Sequence, residues 1–224
     1  MKKIIFFILA FTSTTFYSFS QENSTKLPTR FLEIGYSANS YRGDLNPNFH
    51  QWTSAFHLGL KLNYKERLNG HVNFMAGSVV GQNHDFSFTD SRDPRPVNYF
   101  RTSILSLNYD LQFHIIKTPR FMLYLSQGIG AFRFIPRNEE GEDLSLKTNT
   151  RARNEEYANI ALFFPSNIGA IYLFPNHFGA GFQIGFMNPT TDYIDNLSQL
   201  SNNQRKDNVM MAKFLFLIPL TYDH

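Results

Sequence analysis

Residues 55–64 read Ala-Phe-His-Leu-Gly-Leu-Lys-Leu-Asn-Tyr, and this alternation constrains the chain more than any other feature. Phe56, Leu58, Leu60, Leu62 and Tyr64 fall on one face of an extended backbone. His57, Gly59, Lys61 and Asn63 fall on the other. Strict period two is a strand signature, because successive side chains of a strand point to opposite faces. The kind of residue on each face matters as much as the period. Large aliphatic groups ending in a tyrosine oppose small or polar ones, the pattern of a membrane barrel that turns bulk to lipid and polarity to its lumen. A lipocalin-type soluble barrel is the competing architecture, and it fills its interior with bulky apolar groups.

The pattern recurs along the chain. Residues 30–40 place Leu32, Ile34, Tyr36 and Ala38 opposite Glu33, Gly35, Ser37 and Asn39. Residues 71–81 turn Val72, Phe74, Ala76 and Val80 to one side, and 99–115 set Leu105, Leu107, Tyr109, Leu111 and Phe113 against Ser106, Asn108, Asp110, Gln112 and His114. A fifth strand covers 121–134. A sixth covers 157–174 and is interrupted by Pro165, which cannot donate to a ladder, so a bulge is expected there. The seventh sets Phe178, Ala180, Phe182, Ile184 and Phe186 against Gly179, Gly181, Gln183 and Gly185. The eighth aligns Met210, Ala212, Phe214, Phe216, Ile218, Leu220 and Tyr222.

The connections alternate long and short: 41–53, a tight turn at 66–70, 82–97, a turn at 117–119, 135–156, a turn at 175–176, then 188–207. Four long loops and three tight turns match an eight-stranded antiparallel transmembrane up-and-down β-barrel, with short turns on the periplasmic side and long loops outside. Both termini are then expected in the periplasm.

Composition agrees with export. Residues 1–21 have a signal-peptide layout: Lys2 and Lys3, an apolar run over 4–11, and Ser18-Phe19-Ser20 before Gln21. The barrel domain is then 22–224. Mean hydropathy is only −0.29, as expected where lipid-facing and lumen-facing residues alternate. The chain holds 24 Phe, 11 Tyr and no cysteine, which excludes disulfides, thiolate metal sites and a lipid-bearing N-terminal cysteine. Its 21 basic side chains fall to 19 once Lys2 and Lys3 leave with the leader, against 18 acidic. No nucleic-acid partner is indicated. No cofactor is expected, and the expected partners are outer-membrane lipid, lipopolysaccharide and the barrel-insertion machinery.

Several stretches carry a family resemblance. Gly35-Tyr36-Ser37-Ala38-Asn39-Ser40-Tyr41-Arg42-Gly43-Asp44-Leu45 resembles the first strand and Tyr-x-Gly-Asp loop of a Bacteroidota outer-membrane barrel family. Residues 164–172 resemble its proline-containing sixth strand, and 183–186 with 190–198 its seventh strand and following loop. That family includes the PorG-type barrel of the type IX secretion system. Gln183, Met187 and Asn196 depart from its usual Glu, Arg and Asp. The resemblance implies the barrel fold and a non-enzymatic scaffold or partner-binding role, with type IX secretion subunits as the implied partners. A lipid A-modifying barrel enzyme and a narrow pore are the alternatives.

Three groups of residues are candidate sites. Tyr41, Gly43, Asp44, Asp192, Tyr193 and Asp195 begin the first and last long loops. They form either a recognition or cation site or a lock between neighbouring loops, with Gly43 serving a turn. Arg42-Gly43-Asp44 also spells an adhesion tripeptide, a match that three residues reach easily by chance. Glu33, Lys61, Asp110, Gln183 and Lys213 point inward and either line a proton or solute path or fill a narrow lumen. Phe216, Leu220 and Tyr222 in the last strand are the expected assembly signal. His57, His71 and His114 invite a catalytic reading. A turn centred near Arg67 would put His57 opposite a residue near Gly77, at a different depth from His71, and no triad or metal spacing is visible. The acidic run Glu139, Glu140, Glu142 and Asp143 lacks calcium-loop spacing and reads as a solvated loop tip.

Overall fold

The structure, a computed structural model, describes residues 27–43, 45–46, 48–83, 98–146, 158–197 and 207–221. The expected leader (1–21), Asp44 and Tyr222 lie outside the described residues. Nine strand segments follow one another: β1 (Arg30–Arg42), β2 (Trp52–Leu62), β3 (Leu68–Gln82), β4 (Tyr99–Lys117), β5 (Phe121–Arg137), β6 (Ile160–Phe163), β7 (Ser166–Leu173), β8 (Gly179–Phe186) and β9 (Asn208–Thr221). β6 and β7 are two halves of one stave, so the barrel has eight. Every neighbouring pair is antiparallel, and the β1–β9 and β4–β5 ladders close the sheet.

The ladders also fix the stagger. Partners run from Ser40 through Met210, Phe186, Ser166, Gln127 and Leu111 to Gly70. The next residue, His71, leads through Lys61 to Phe31, so the circuit closes on β1 at Arg30, ten residues from its start. Such a stagger over eight staves tilts the strands to roughly 40–45° and leaves an interior just wide enough for side chains.

Inside and outside follow the expected phases. Phe56, Leu58 and Leu60 of β2 are exposed while His57, Gly59 and Lys61 are buried. The wall exposes a continuous apolar band, including Leu105, Leu107, Tyr109, Leu111 and Phe113 on β4, far more than soluble monomers leave uncovered. On β4 the outward apolar run from Leu105 to Ile115 covers ten residue-to-residue rises. At about 2.4 Å of axial rise per tilted residue this is roughly 24 Å, the height of a lipid-facing band.

Three expectations need correction. The interior is not uniformly small and polar. Phe31, Met122, Tyr124, Ile171, Leu173, Leu215 and Leu217 form an apolar layer at the short-turn end. A second layer, including Phe100, Ile104, Phe132, Phe134, Met75 and Val79, fills the long-loop end. The zone between them is mostly polar, and further polar groups, Asn69 and His114 at one end and Asp195 and Asp207 at the other, sit beside the apolar side chains. Alternation assigns a face but not a height, so bulky residues at the strand ends escape notice.

The first turn lies one residue earlier than expected. β3 starts at Leu68, and His57 faces Met75, while Gly77 faces Ala55.

The proline in the sixth stave produces no bulge. Gln127 pairs with Ser166 and Gly130 with Phe163, which is one unbroken register. On the other side Ser166↔Phe186 and the bridge Phe163↔Pro189 are in register too. The Pro165 carbonyl still accepts from the Gly128 N–H at 2.9 Å; only the reciprocal donor is missing. Outward side chains fill in for it. Gln127 Nε2 reaches the Gly128 carbonyl at 3.5 Å, Ser166 Oγ donates to Gln127 Oε1 at 2.7 Å, and Asn188 Nδ2 donates to the Phe164 carbonyl at 2.8 Å.

Gly43 sits in a loop contact as expected, its N–H bonding the Asn46 carbonyl at 2.9 Å, with no left-handed φ. Its requirement there is space. A Cβ there would lie 1.8 Å from the Tyr41 hydroxyl and 2.1 Å from Asp207 Oδ1.

Candidate functional site

The inward residues of five strands meet in one hydrogen-bonded chain across the lumen. Lys213 Nζ of β9 donates to Glu33 Oε1 of β1 at 3.0 Å. His71 Nε2 lies 3.4 Å from the same oxygen, and its Nδ1 is 3.2 Å from Asp110 Oδ2. Asn108 Nδ2 donates to Asp110 Oδ1 at 2.7 Å, and Asn73 Nδ2 donates to Asn108 Oδ1 at 3.0 Å. Asn73 Oδ1 faces His57 Nδ1 at 3.2 Å, and His57 Nε2 lies 2.8 Å from Ser37 Oγ. Buried charges persist where they are paired and hydrogen-bonded, and this chain pairs each carboxylate with a cationic or amide donor.

A second cluster sits towards the short turns. Lys61 bonds Gln112, approaches His114 Nε2 at 3.3 Å and lies 4.7 Å from the centre of the Tyr124 ring. The Tyr124 hydroxyl donates to Gln183 Oε1 at 3.0 Å. All five predicted interior residues, Glu33, Lys61, Asp110, Gln183 and Lys213, are thus buried in the lumen. Sequence reasoning left the three histidines outside this set, together with Asn73 and Asn108. Their inward phase was legible, but which of them touch depends on the stagger between strands.

Ser37, His57 and Asn73 stand in line like a nucleophile, a base and its orienting amide. The geometry alone does not make a hydrolase. Ser37 is fully buried and also bonds Asn39 Oδ1 at 2.7 Å. The neighbouring cavity, lined by His57, Asn73, Asp110, Asn167, Gln183 and Lys213 among others, measures about 20 Å³. That is room for a water molecule, not for an acyl chain.

At the long-loop end the first and last loops are locked together. The Tyr41 hydroxyl is 2.8 Å from Asp195 Oδ2 and 2.5 Å from Asp207 Oδ1. Asp207 Oδ2 accepts the Ile194 N–H at 2.8 Å, Asp195 Oδ1 accepts that of Leu197 at 2.9 Å, and Asp192 Oδ1 accepts that of Asp207 at 3.2 Å. Thr102 Oγ1 donates to the Ile194 carbonyl at 2.5 Å. The lock drives Ile194 and Leu197 into the apolar layer, where both are buried. Tyr193 is buried with them, and Asn196 adopts φ 62°, a left-handed conformation that asparagine tolerates.

One hydroxyl proton cannot serve two carboxylates. The second contact at Tyr41 therefore requires a proton on a carboxyl. Burial and the adjacent Asp195 hold the Asp207 carboxyl well above the usual carboxylate range, which makes Asp207 the proton carrier. Asp207 was not among the predicted site residues. It follows a polar stretch without a motif, and only the β1–β9 closure brings it to Tyr41. Among the described residues no group of three or more His, Asp or Glu side chains is arranged to hold a metal ion. In the last strand, Phe216 and Leu220 of the expected assembly signal are exposed on the wall.

No family model matches the chain, and no curated protein matches it in sequence. Solved structures do. Neisserial surface protein A aligns with TM-score 0.51 and 9% identity over 86% of this chain and 97% of that one. Ail of Yersinia pestis, crystallised with the heparin analogue sucrose octasulfate, aligns with TM-score 0.49 and 11% identity over 88% and 98%. The outer membrane enzyme PagL aligns with TM-score 0.41 and 13% identity over 84% and 99%. At 9% identity the likeness to neisserial surface protein A is one of fold. With the closed eight-stave sheet it puts the chain in the class of small outer-membrane-type β-barrels.

Proposed function

We propose that the chain is a non-conducting outer-membrane barrel that acts as a scaffold or partner-binding protein through its rims. The observation that carries this reading is the filled lumen. Apolar side chains crowd both ends, a hydrogen-bonded network occupies the middle, and the cavity beside His57 and Lys213 is about 20 Å³. A solute path needs continuous space, and an acyl-transfer or hydrolytic site needs a cleft; neither is supported by this interior. Recognition then falls to the exposed loops and turns. In this reading the long loops face outside, and both termini lie in the periplasm after removal of the leader.

Within that class, the Tyr41 and Asp192–Asp195 motifs support a PorG-like part in type IX secretion. The test is a gentle detergent pull-down of the tagged protein from outer membranes, with heat-modifiable gel mobility checked on the same sample. Secretion subunits recovered with a heat-shifted band are the expected result. A heat-shifted band without companions removes the scaffold role. The Ser37–His57–Asn73 line favours lipid hydrolysis as the second reading, and an altered lipid A profile lost in S37A would establish it.

A further inference from the structure

The outward face of the β4–β5 hairpin carries three arginines at its long-loop end. Arg101 of β4 stands directly opposite Arg137 of β5, and Arg133, four residues below Arg137 on the same outward face, stands opposite Leu105. All three are exposed. Like charges opposed across a ladder destabilise it. Among the described residues no carboxylate lies within ion-pair reach of any of them. Three other arginines are engaged. Arg30 bonds the Tyr64 hydroxyl, Arg67 donates to the Ile115 carbonyl at 3.2 Å, and Arg42 lies 5.0 Å from the centre of the Phe49 ring. Among the described residues the hairpin arginines thus form a fork with no carboxylate against it.

Their height says what would neutralise it. Leu105 is the top of the apolar run on β4, so Arg133 lies at the edge of the lipid-facing band. Arg101 lies four residues, or about 10 Å, above that edge. Headgroups occupy the first roughly 5–8 Å beyond the hydrocarbon. Arg133 therefore starts at the base of that layer, while Arg101 and Arg137 sit just above it and their long side chains can reach down into it. Arginine forks match phosphate oxygens bidentately.

We propose that Arg101, Arg133 and Arg137 form a binding site for the phosphate of an outer-leaflet glycolipid, whose acyl chains run down the wall past Leu105, Leu107 and Ile129. An acidic protein would meet the charge but not the apolar wall directly beneath it. The proposal rests on the outer-membrane reading with the long loops outside.

The test uses the full chain, extracted folded in mild detergent and titrated with lipopolysaccharide or with enzymatically dephosphorylated lipopolysaccharide. Heat-modifiable mobility is recorded on every sample, so loss of the barrel is separated from loss of the site. The expected result is binding that weakens with salt and drops at least about tenfold on dephosphorylation. The R101Q/R137Q pair is expected to lose a similar factor, R133Q a smaller one, and R120Q at the opposite rim nothing. Should R101Q/R137Q fail to fold, R133Q with the dephosphorylated ligand still decides. Equal binding of both glycolipids, equal binding by a heat-shifted R101Q/R137Q, or displacement by an acidic peptide in preference to the glycolipid would overturn the proposal.

Discussion

Replacing Lys213 by methionine removes the amine from Glu33 while keeping most of the side-chain volume. The structure predicts a large cost. Glu33 is completely buried, and among the described residues its Oε2 has no hydrogen-bond partner and, without Lys213, its cationic neighbour within ion-pair reach is His71 at 3.4 Å. Breaking one side of a buried pair in this way costs about 3–5 kcal/mol, because a charge is left without compensation. Glu33→Gln should cost less. It leaves Lys213 with Asn73 Oδ1 at 3.5 Å, and the long ammonium stem can adjust. In the double variant no orphaned carboxylate remains, so stability should return to within about 1–2 kcal/mol of the parent. The coupling energy of the cycle is then about 2–3 kcal/mol plus whatever Glu33→Gln costs alone. Equilibrium urea unfolding in detergent measures it, with heat-modifiable mobility reporting closure and Trp52, the single tryptophan, reporting its surroundings at the start of β2. Additivity within about 0.5 kcal/mol would refute the argument, since it would mean that Lys213 and Glu33 do not depend on each other.

Other perturbations test the remaining inferences. Asp207 has a raised pKa when folded, so the native state binds its proton more tightly than the unfolded chain. The loop lock should therefore be complete below about pH 3.9 and weaken as pH rises through the folded value. Among the described residues the titratable groups facing Asp207 are Asp195 and Asp192, with Tyr41. Asp207→Asn reproduces the protonated carboxyl and should flatten this dependence, as read by protease cleavage within the last loop. Gly43→Ala forces a methyl group into the Tyr41–Asp207 contact and should cost about 1–3 kcal/mol, with faster cleavage of that loop. An unchanged cleavage rate would dismiss the space argument. Pro165→Ala restores an N–H opposite the Gly128 carbonyl and should be neutral or stabilise by about 1 kcal/mol, with slow hydrogen exchange at the new amide. Destabilisation by more than that would mean the proline's ring, rather than its missing donor, shapes the stave.

The residue alternation by itself determined the wall. Phe56, Leu58 and Leu60 outside and His57 and Lys61 inside follow from period two, because a strand turns each side chain to the face opposite its neighbour's. Eight repeats with alternating connections then leave an up-and-down closed barrel as the architecture that satisfies every strand edge. Height and contact were a different matter. The ten-residue stagger decides that Lys213 reaches Glu33, that His71 bridges Glu33 and Asp110, and that Tyr41 meets Asp207 from the far end of the chain. Registers between strands depend on turn geometry and on closure, which no local pattern encodes. The same closure decided that bulky inward residues gather into two lids, and that a proline could sit in a continuous ladder when Gln127, Ser166 and Asn188 stand outside it. Which face a residue takes is local, because it depends on one backbone; which residue it touches is global, because it depends on all eight.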